Sequence, residues 1–452
     1  MMMRGKIIRT AVALGVVGFF TILSWTEARA LPSYTRQTGM SCTACHTVFP
    51  ELTPFGRTFK LSGYTLSKSS KSYEFPPPIS AGTQLSFTHV GKTMPPKTAA
   101  YESRGNDNVN VPQDISLYYG GKIYGHWGTQ TQGKYDGVSN KFLLYQSDVR
   151  YARTTTLGDK GLNLIYGLTL NNNPTVQDVW NSTPARTFHY VFSTVGPFPA
   201  GLPKIHNALG LQVGGVGLYA FWHNLVYAEV ALYRTARKGP FQFLGAGTVT
   251  QDLVDGFAPY WRLALQHNWR QHSLEVGTFG MAVRVFPEGQ TRGPSDQFTD
   301  VAFDAQYQYI LKKHIFSAQA SWIHEEQNRD ASVDLGQAAN RSNYLDTFKI
   351  NLNYWYRSSI GALGGAVGYF STRGSKDSIL YPAKVPLFGS RTGRPNNHYF
   401  ILEANYLPWE KTKISVQYII YDKFNGSRTN YDGLGRNAAD NNTLYLNVWL
   451  II

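Results

Sequence analysis

The amino-acid sequence predicts an all-β fold, a large transmembrane antiparallel β-barrel of about sixteen strands, with a small N-terminal segment that plugs it. Three observations carry this prediction. Aromatic residues make up 14% of the 452-residue chain, with 29 tyrosines beside 43 glycines and only 16% charged residues, a balance suited to long strands and tight turns. From about Ile79 to the C-terminus the chain alternates apolar and polar residues in long stretches separated by Gly, Asn, Asp and Pro clusters. The last stretch runs to the final residue, as expected where a closing strand pairs with the first.

Residues 1–30 read as a secretory signal peptide. Arg4, Lys6 and Arg9 precede an apolar run from about Ala11 to Trp25, and Ala28-Arg29-Ala30 supplies an A-x-A cleavage site. An N-terminal anchor would need about 20 apolar residues and gives no reason for the A-x-A. Sec-type export, to the outer membrane of a Gram-negative bacterium, follows from the signal together with the barrel. The formal charge of the whole chain is +14, and loss of Arg4, Lys6, Arg9 and Arg29 against Glu27 leaves the exported part basic. No nucleic-acid-binding module is present, so the charge points to lipid headgroups or acidic partners.

Residues 31–78 form a segment of different texture, without long alternating stretches and ending at the prolines 76–78. A chain of this size rarely builds a dependable core unaided and needs a staple. The staple lies in "SCTACHTVFPELTPFG", residues 41–56, which holds both cysteines of the protein. A Cys42–Cys45 disulfide would close a very short loop, stabilise little and leave His46 without a role. Zinc wants four ligands, and two thiols and one imidazole are present. Covalent attachment of one c-type haem requires C-x-x-C-H, and Cys42-Thr43-Ala44-Cys45-His46 supplies it: two thioethers fix the porphyrin and His46 is placed to ligate the iron. Met94, His89 and His126 are candidates for the sixth iron ligand, each reading more simply as an ordinary barrel or loop residue. Met40 lies too near the attachment site.

Residues 79–452 are the barrel. In "FTDVAFDAQYQYIL", 298–311, Val301, Phe303, Ala305, Tyr307, Tyr309 and Leu311 face one way, and Asp300, Asp304, Gln306 and Gln308 the other. In "YLDTFKINLNYWYR", 344–357, Phe348, Ile350, Leu352, Tyr354 and Tyr356 oppose Lys349, Asn351, Asn353 and Arg357. Similar stretches lie at 141–153, 162–171, 397–406, 411–421 and 443–452. A soluble sandwich has strands of about five or six residues. Membrane barrels need about 9 to 11, with tyrosine and tryptophan girdles at the strand ends. The lengths and the tyrosines favour the membrane barrel. The terminal strand lacks the final phenylalanine that most such barrels carry. Asp148, Asp300, Asp304 and Glu403 are predicted to face the lumen, where a carboxylate is more simply a solvated or arginine-paired group than a cation site.

The stretch "LPSYTRQTGMSCTACHTVFPELTPFGRTFKLSGYTL", 31–66, resembles the N-terminal haem segment of the fused outer-membrane cytochrome-porins, the family that includes bacterial Fe(II) oxidases. "YGLTLNNNPTVQDVWNSTPA", 166–185, is similar to a barrel segment of the same family. The resemblance implies a single haem within or beneath the lumen, with Cys42 and Cys45 as thioether sites and His46 as proximal ligand. It implies electron flow from an extracellular donor, Fe(II) first among them, to a periplasmic c-type cytochrome or other electron carrier. If the chain is an enzyme, it is an Fe(II):cytochrome c oxidoreductase. The alternative is a porin-like channel whose haem-bearing plug is structural or a redox sensor.

Overall fold

A computed structural model describes residues 32–48, 50–68, 77–95, 105–157, 162–175, 178–182, 191–210, 212–235 and 253–452. The signal-peptide reading of residues 1–30 lies outside the described residues. A short N-terminal segment holds α1 (Pro32–Thr38), α2 (Cys42–Cys45), the small strands β1 (His46–Val48) and β2 (Glu51–Leu52), and α3 (Pro54–Leu61). The barrel begins with β3 (Ile79–Val90), β4 (Asp107–Tyr124), β5 (Trp127–Asp136), β6 (Lys141–Leu157), β7 (Leu162–Asn171), β8 (Val213–Trp222), β9 (Val226–Thr235) and β10 (Ala258–Trp269). It continues with β11 (His272–Val285), β12 (Asp296–Ile310), β13 (His314–Asn328), β14 (Ser342–Ser358), β15 (Gly361–Gly374), β16 (Asn397–Leu407), β17 (Thr412–Lys423) and β18 (Thr443–Ile451).

These sixteen strands form one closed antiparallel sheet in which each pairs with its neighbours in sequence. Closure is made by β18 against β3, in register from Thr443 opposite Val90 to Ile451 opposite Gly82. The predicted terminal strand therefore does close the barrel, without a final phenylalanine. Turns at one end, such as 270–271, 359–360 and 408–411, are tight, while connections at the other, such as 172–212, 375–396 and 424–442, are long. Short turns mark the periplasmic end and long loops the outside. Both termini of the barrel, Ile79 and Ile451, lie at the turn end.

The two faces are the reverse of a soluble protein's. Along β12, Val301 and Phe303 are exposed, Phe303 by 55%, whereas Asp300, Asp304, Gln306 and Gln308 are buried. Along β14, Phe348, Ile350, Leu352 and Tyr354 are exposed while Lys349, Asn351 and Asn353 are buried. Apolar side chains outside and polar ones inside are stable only if lipid surrounds the sheet, and only a closed sheet leaves no unpaired backbone edge in that lipid. Trp222, Trp269 and Tyr356 stand exposed at the turn ends of β8, β10 and β14, at the level of an interfacial girdle. No helix among the described residues is long and apolar enough to cross a membrane, so the strands do the crossing.

This arrangement sets a test. Phe303→Arg, in the middle of β12 on the outer face, should destabilise the barrel by about 2–4 kcal/mol in lipid vesicles. Denaturant unfolding followed by gel mobility measures it, and an unchanged midpoint would mean that Phe303 does not face lipid.

Candidate functional site

The C-x-x-C-H stretch is held by the turn that follows it. Thr53 caps α3 with its Oγ1 accepting from the Gly56 amide at 3.1 Å, Pro54 occupies the first helical position, and Thr53 Oγ1 donates to the Ala44 carbonyl at 2.7 Å. The Thr53 amide donates to the Cys45 carbonyl at 2.9 Å. Gly56 is required by this packing, since a Cβ there would lie 2.1 Å from the Cys45 carbonyl oxygen. Thus "TPFG" is the clamp that folds α3 back onto α2.

The whole segment sits inside the turn half of the lumen. α1 is tied to the start of the barrel: the Ser33 amide donates to Ser80 Oγ at 3.1 Å, Arg36 Nη2 to the Ile79 carbonyl at 2.8 Å, and the Lys122 amide to Gln37 Oε1 at 2.8 Å. Arg57, on α3, is fully buried and crosses to the wall, where Nη1 donates to Gln306 Oε1 at 2.8 Å and Gln308 Oε1 at 3.0 Å and Nη2 donates to Ser273 Oγ at 2.7 Å. Gln308 turns its Nε2 to Glu51 Oε1 at 2.6 Å, and Ser317 Oγ donates to the other Glu51 oxygen at 2.9 Å. Tyr64 Oη donates to Asp148 Oδ2 at 2.6 Å, and Tyr219 Oη to the Leu61 carbonyl at 2.7 Å. Wall residues from β6 to β13 therefore hold the segment by polar bonds that water is excluded from contesting.

A second segment fills the lumen beyond it. Within the connection between β7 and β8, residues 178–182 turn inward, burying Asp178, Trp180 and Ser182. Trp180 Nε1 donates to Gln266 Oε1 at 2.9 Å, and its carbonyl accepts from Gln306 Nε2 at 2.7 Å and Gln319 Nε2 at 3.0 Å. Gln306 thus joins both inserted segments, giving its oxygen to Arg57 and its nitrogen to Trp180.

Cys42 and Cys45 are both free thiols, Cys42 buried and Cys45 half-buried. Burial, and for Cys42 the neighbouring Glu410, push both thiols up, Cys45 to about 11, so neither is an ionised redox nucleophile at neutral pH. Burial lowers His46 to about 4, which keeps its imidazole neutral, and His46 Nδ1 is buried with no hydrogen-bond partner among the described residues. Two cavities of about 180 Å³ and 130 Å³ meet at Cys42, His46 and Glu410. The first is lined by Val48, Trp355, Leu407 and Trp409, and the second by Tyr34, Leu52, Phe59, Trp449 and Ile451 with Lys60 and Lys411. The Cys42 amide donates to Glu410 Oε2 at 3.2 Å, and Arg357 Nη2 to the Thr47 carbonyl at 2.9 Å, so the barrel's own turns frame the motif. Paired neutral thiols, a neutral imidazole with an orphaned nitrogen and an apolar lining with two lysines at its edge are a donor set and surroundings compatible with a c-type haem. Zinc is less well served, since no group of three or more His, Cys, Asp or Glu suited to a metal ion occurs among the described residues.

The structure brings Cys42, Cys45 and His46 together and does not bring His89 or Met94 to them. His89 lies near the loop end of β3, exposed, with Nδ1 2.7 Å from Asp107 Oδ1. Met94 is buried beyond that end, packed with Val90, Val195 and Leu387. The length of β3 separates both from the motif, so the structure does not bring either candidate for the sixth ligand to it. His126 is exposed in the turn after β4, edge-on to Tyr151, and Met40 is exposed beside the motif. No methionine and no second histidine lines the two cavities among the described residues.

The four lumen carboxylates face inward and are engaged by protein. Asp148 accepts from Arg150 Nε at 2.8 Å, and Asp304 from Arg262 Nη2 at 2.6 Å and from Ser182. Asp300 accepts from the Ile205 amide at 3.1 Å, and Glu403 from Asn405 and Gln417, each at 2.8 Å. Residues that carry the site but were not singled out from sequence are Arg57, Glu51, Trp180 and Glu410. The signal available for Arg57 was a lone arginine amid the apolar residues of a segment too small to bury it against itself.

No protein-family model and no curated relative matches the chain. Among solved structures it is similar to the outer-membrane channel DcaP of Acinetobacter baumannii, at 10% identity over 83% of this chain and 96% of that one, with a TM-score of 0.47. It is also similar to OmpT of Vibrio cholerae in its trimer form, at 10% identity over 83% and 99% with a TM-score of 0.45. A third is OmpF of Salmonella typhi in complex with daunomycin, at 11% over 83% and 97% with a TM-score of 0.43. Likenesses this loose decide nothing about transport or cofactor. The closed sheet, its apolar exterior and its turn and loop ends decide the class: the chain is a porin-like β-barrel of the outer membrane.

Arg57→Ala removes four hydrogen bonds from a buried cation. A loss of about 3 kcal/mol should speed amide exchange in residues 32–68 roughly a hundredfold while the strands stay protected. Hydrogen exchange by mass spectrometry reads this, and unchanged protection of the segment would show that the Arg57 clamp does not hold it.

Proposed function

We propose that this chain is an outer-membrane monohaem cytochrome-porin that takes electrons from an extracellular donor, Fe(II) by the family resemblance, and passes them to a periplasmic c-type cytochrome or other carrier. The observation that carries the proposal is the position of an unbridged C-x-x-C-H against apolar cavities at the periplasmic mouth of a membrane barrel. Cys42 and Cys45 would hold the porphyrin by thioethers, and His46 would offer the iron a neutral imidazole. A c-type haem bound there supplies one-electron exchange at its iron.

The surrounding side chains have definable tasks. Leu52, Phe59 and Trp449 exclude water, which together with the axial ligand tunes a redox potential. Lys60 and Lys411 supply positive charge at the cavity wall for an anionic porphyrin edge. Arg57, through Gln306 and Gln308, keeps the motif in register with the wall. Fe(II) is a fitting donor for this layout because ferric iron precipitates near neutral pH, and a route for electrons alone leaves the metal outside. A diffusion channel with a haem-bearing plug is less well supported, since two inserted segments meet across the lumen on Gln306.

Membranes carrying the protein should show a c-type absorption spectrum that shifts to the reduced form on Fe(II) addition. Cys42→Ala/Cys45→Ala should lose covalent haem, and His46→Ala should keep it with an altered Soret band and lose Fe(II)-dependent reduction. Haem that forms but stays oxidised in Fe(II), while another donor reduces it, would refute iron and keep the conduit.

A further inference from the structure

Charge is distributed unequally between the two ends of the barrel. At the loop end some cations pair with carboxylates, Arg341 with Asp330 at 2.9 Å and Asp334 at 2.8 Å, Arg428 with Asp422 at 2.9 Å, and Lys92 with Asp440 at 3.1 Å, while Arg292, Lys376 and Lys384 are exposed and in no ion pair among the described residues. At the turn end four consecutive turns, 270–271, 311–313, 359–360 and 408–411, carry or adjoin Arg270, Lys312, Lys313, Arg357 and Lys411, with Glu410 the one carboxylate in them. Glu410 is already turned to the Cys42 amide. Arg270, Lys312 and Lys313 are exposed, and none of the three is ion-paired with a described carboxylate. The turns form one continuous arc: the Ile310 amide donates to the Gln271 carbonyl at 2.9 Å, and the Arg357 amide to the Lys313 carbonyl at 2.8 Å. Arg357 in turn reaches Thr47, beside His46.

The net positive charge is one-sided: the turns 223–225 between β8 and β9 and 125–126 between β4 and β5 hold no lysine or arginine, and in 158–161 between β6 and β7 the one lysine, Lys160, adjoins a carboxylate, Asp159. A belt for lipid headgroups would run round the whole circumference. This arc instead flanks the motif, and exposed apolar side chains accompany it: Ile360 and Trp409 in its own turns, Trp409 also lining a cavity, and Met40 two residues before Cys42. A small apolar centre with a charged border is the make-up of a transient protein interface, in which rim charges set encounter rate and salt dependence.

We propose that the rim of turns 270–271, 311–313, 359–360 and 408–411 is the docking surface for an acidic face of a soluble periplasmic electron carrier. This rests on the reading that a haem is held at Cys42, Cys45 and His46. Unpaired cations beside the motif raise the local concentration of an acidic partner and orient it toward the cavities, and because each exposed charge pair is weak and screened by water the partner can leave again.

The test uses the full chain in nanodiscs of neutral phosphatidylcholine. The probe is plastocyanin, an acidic blue-copper protein, in a zinc-substituted, redox-inert form whose binding is read by fluorescence anisotropy. Basic cytochrome c serves as the opposite-charge control. We expect plastocyanin to bind at low ionic strength, cytochrome c not to bind, and Arg270→Glu/Lys312→Glu/Lys313→Glu to weaken plastocyanin binding by about tenfold or more. Lys376→Glu/Lys384→Glu, at the loop end, should leave it unchanged. Gel mobility and hydrogen exchange check that the triple variant is folded, and the triple glutamine variant should fall between. Equal binding to wild type and triple variant would overturn the proposal. So would loss of binding once anionic phosphatidylglycerol is added, which would assign the arc to lipid. Covalent haem is measured separately by absorbance, so a chain that binds plastocyanin but carries no haem refutes the functional reading and not the docking surface.

Discussion

The pairing of β18 with β3 is the interaction on which the rest depends. In lipid an unpaired strand edge has no water to satisfy it, so the sheet is stable there only when its last strand meets its first. The register from Thr443 opposite Val90 to Ile451 opposite Gly82 makes that seam. Closing it separates two surfaces that an open sheet would leave continuous, an exterior of Phe303 and Leu352 and an interior of Asp304 and Asn351. It also brings both barrel termini to the turn end, where the N-terminal segment can enter.

The interior created by closure is polar, and its groups are engaged partly by one another and partly by the inserted segments. A wall bearing Arg150, Arg262, Asp148 and Asp304 would hold water in an open channel. Here Arg262 binds Asp304 and Glu275, and Tyr64 reaches Asp148. Arg57 shows the converse, a cation from the segment satisfied by neutral amides of the wall. Such networks are worth most when every member is engaged, because the low dielectric that strengthens each bond also penalises each omission. A segment that could not fold alone thereby acquires a fixed pose, and the C-x-x-C-H motif acquires an address at the periplasmic mouth.

That address joins chemistry to topology. The motif alone would suit any small cytochrome. Set among Glu410, Arg357 and Trp355 from the turn ends of two hairpins, it becomes part of the barrel's own floor, and the cations of adjacent turns border it. One end of the molecule therefore combines the C-x-x-C-H motif and its cavities with an arc of exposed cations, while the loops at the other carry both paired and unpaired charges.

The sequence by itself determined what depends on short-range order. Period-two alternation placed β12 and β14 and their faces, because a strand presents alternate residues to opposite sides whatever surrounds it. The spacing Cys42-Thr43-Ala44-Cys45-His46 carries the expectation of a c-type haem for the same reason, that its geometry is local. Tertiary structure alone decided what depends on registers summed around the sheet. His89 and Met94 were candidates for the sixth ligand on residue type alone, and it is the rise of β3 that places them at the end opposite the motif. Gln306 and Gln308 were legible as inward-facing, but not as the clamps of Arg57, Glu51 and Trp180. Those partners lie more than a hundred residues away, and only the closed sheet brings them within hydrogen-bond reach.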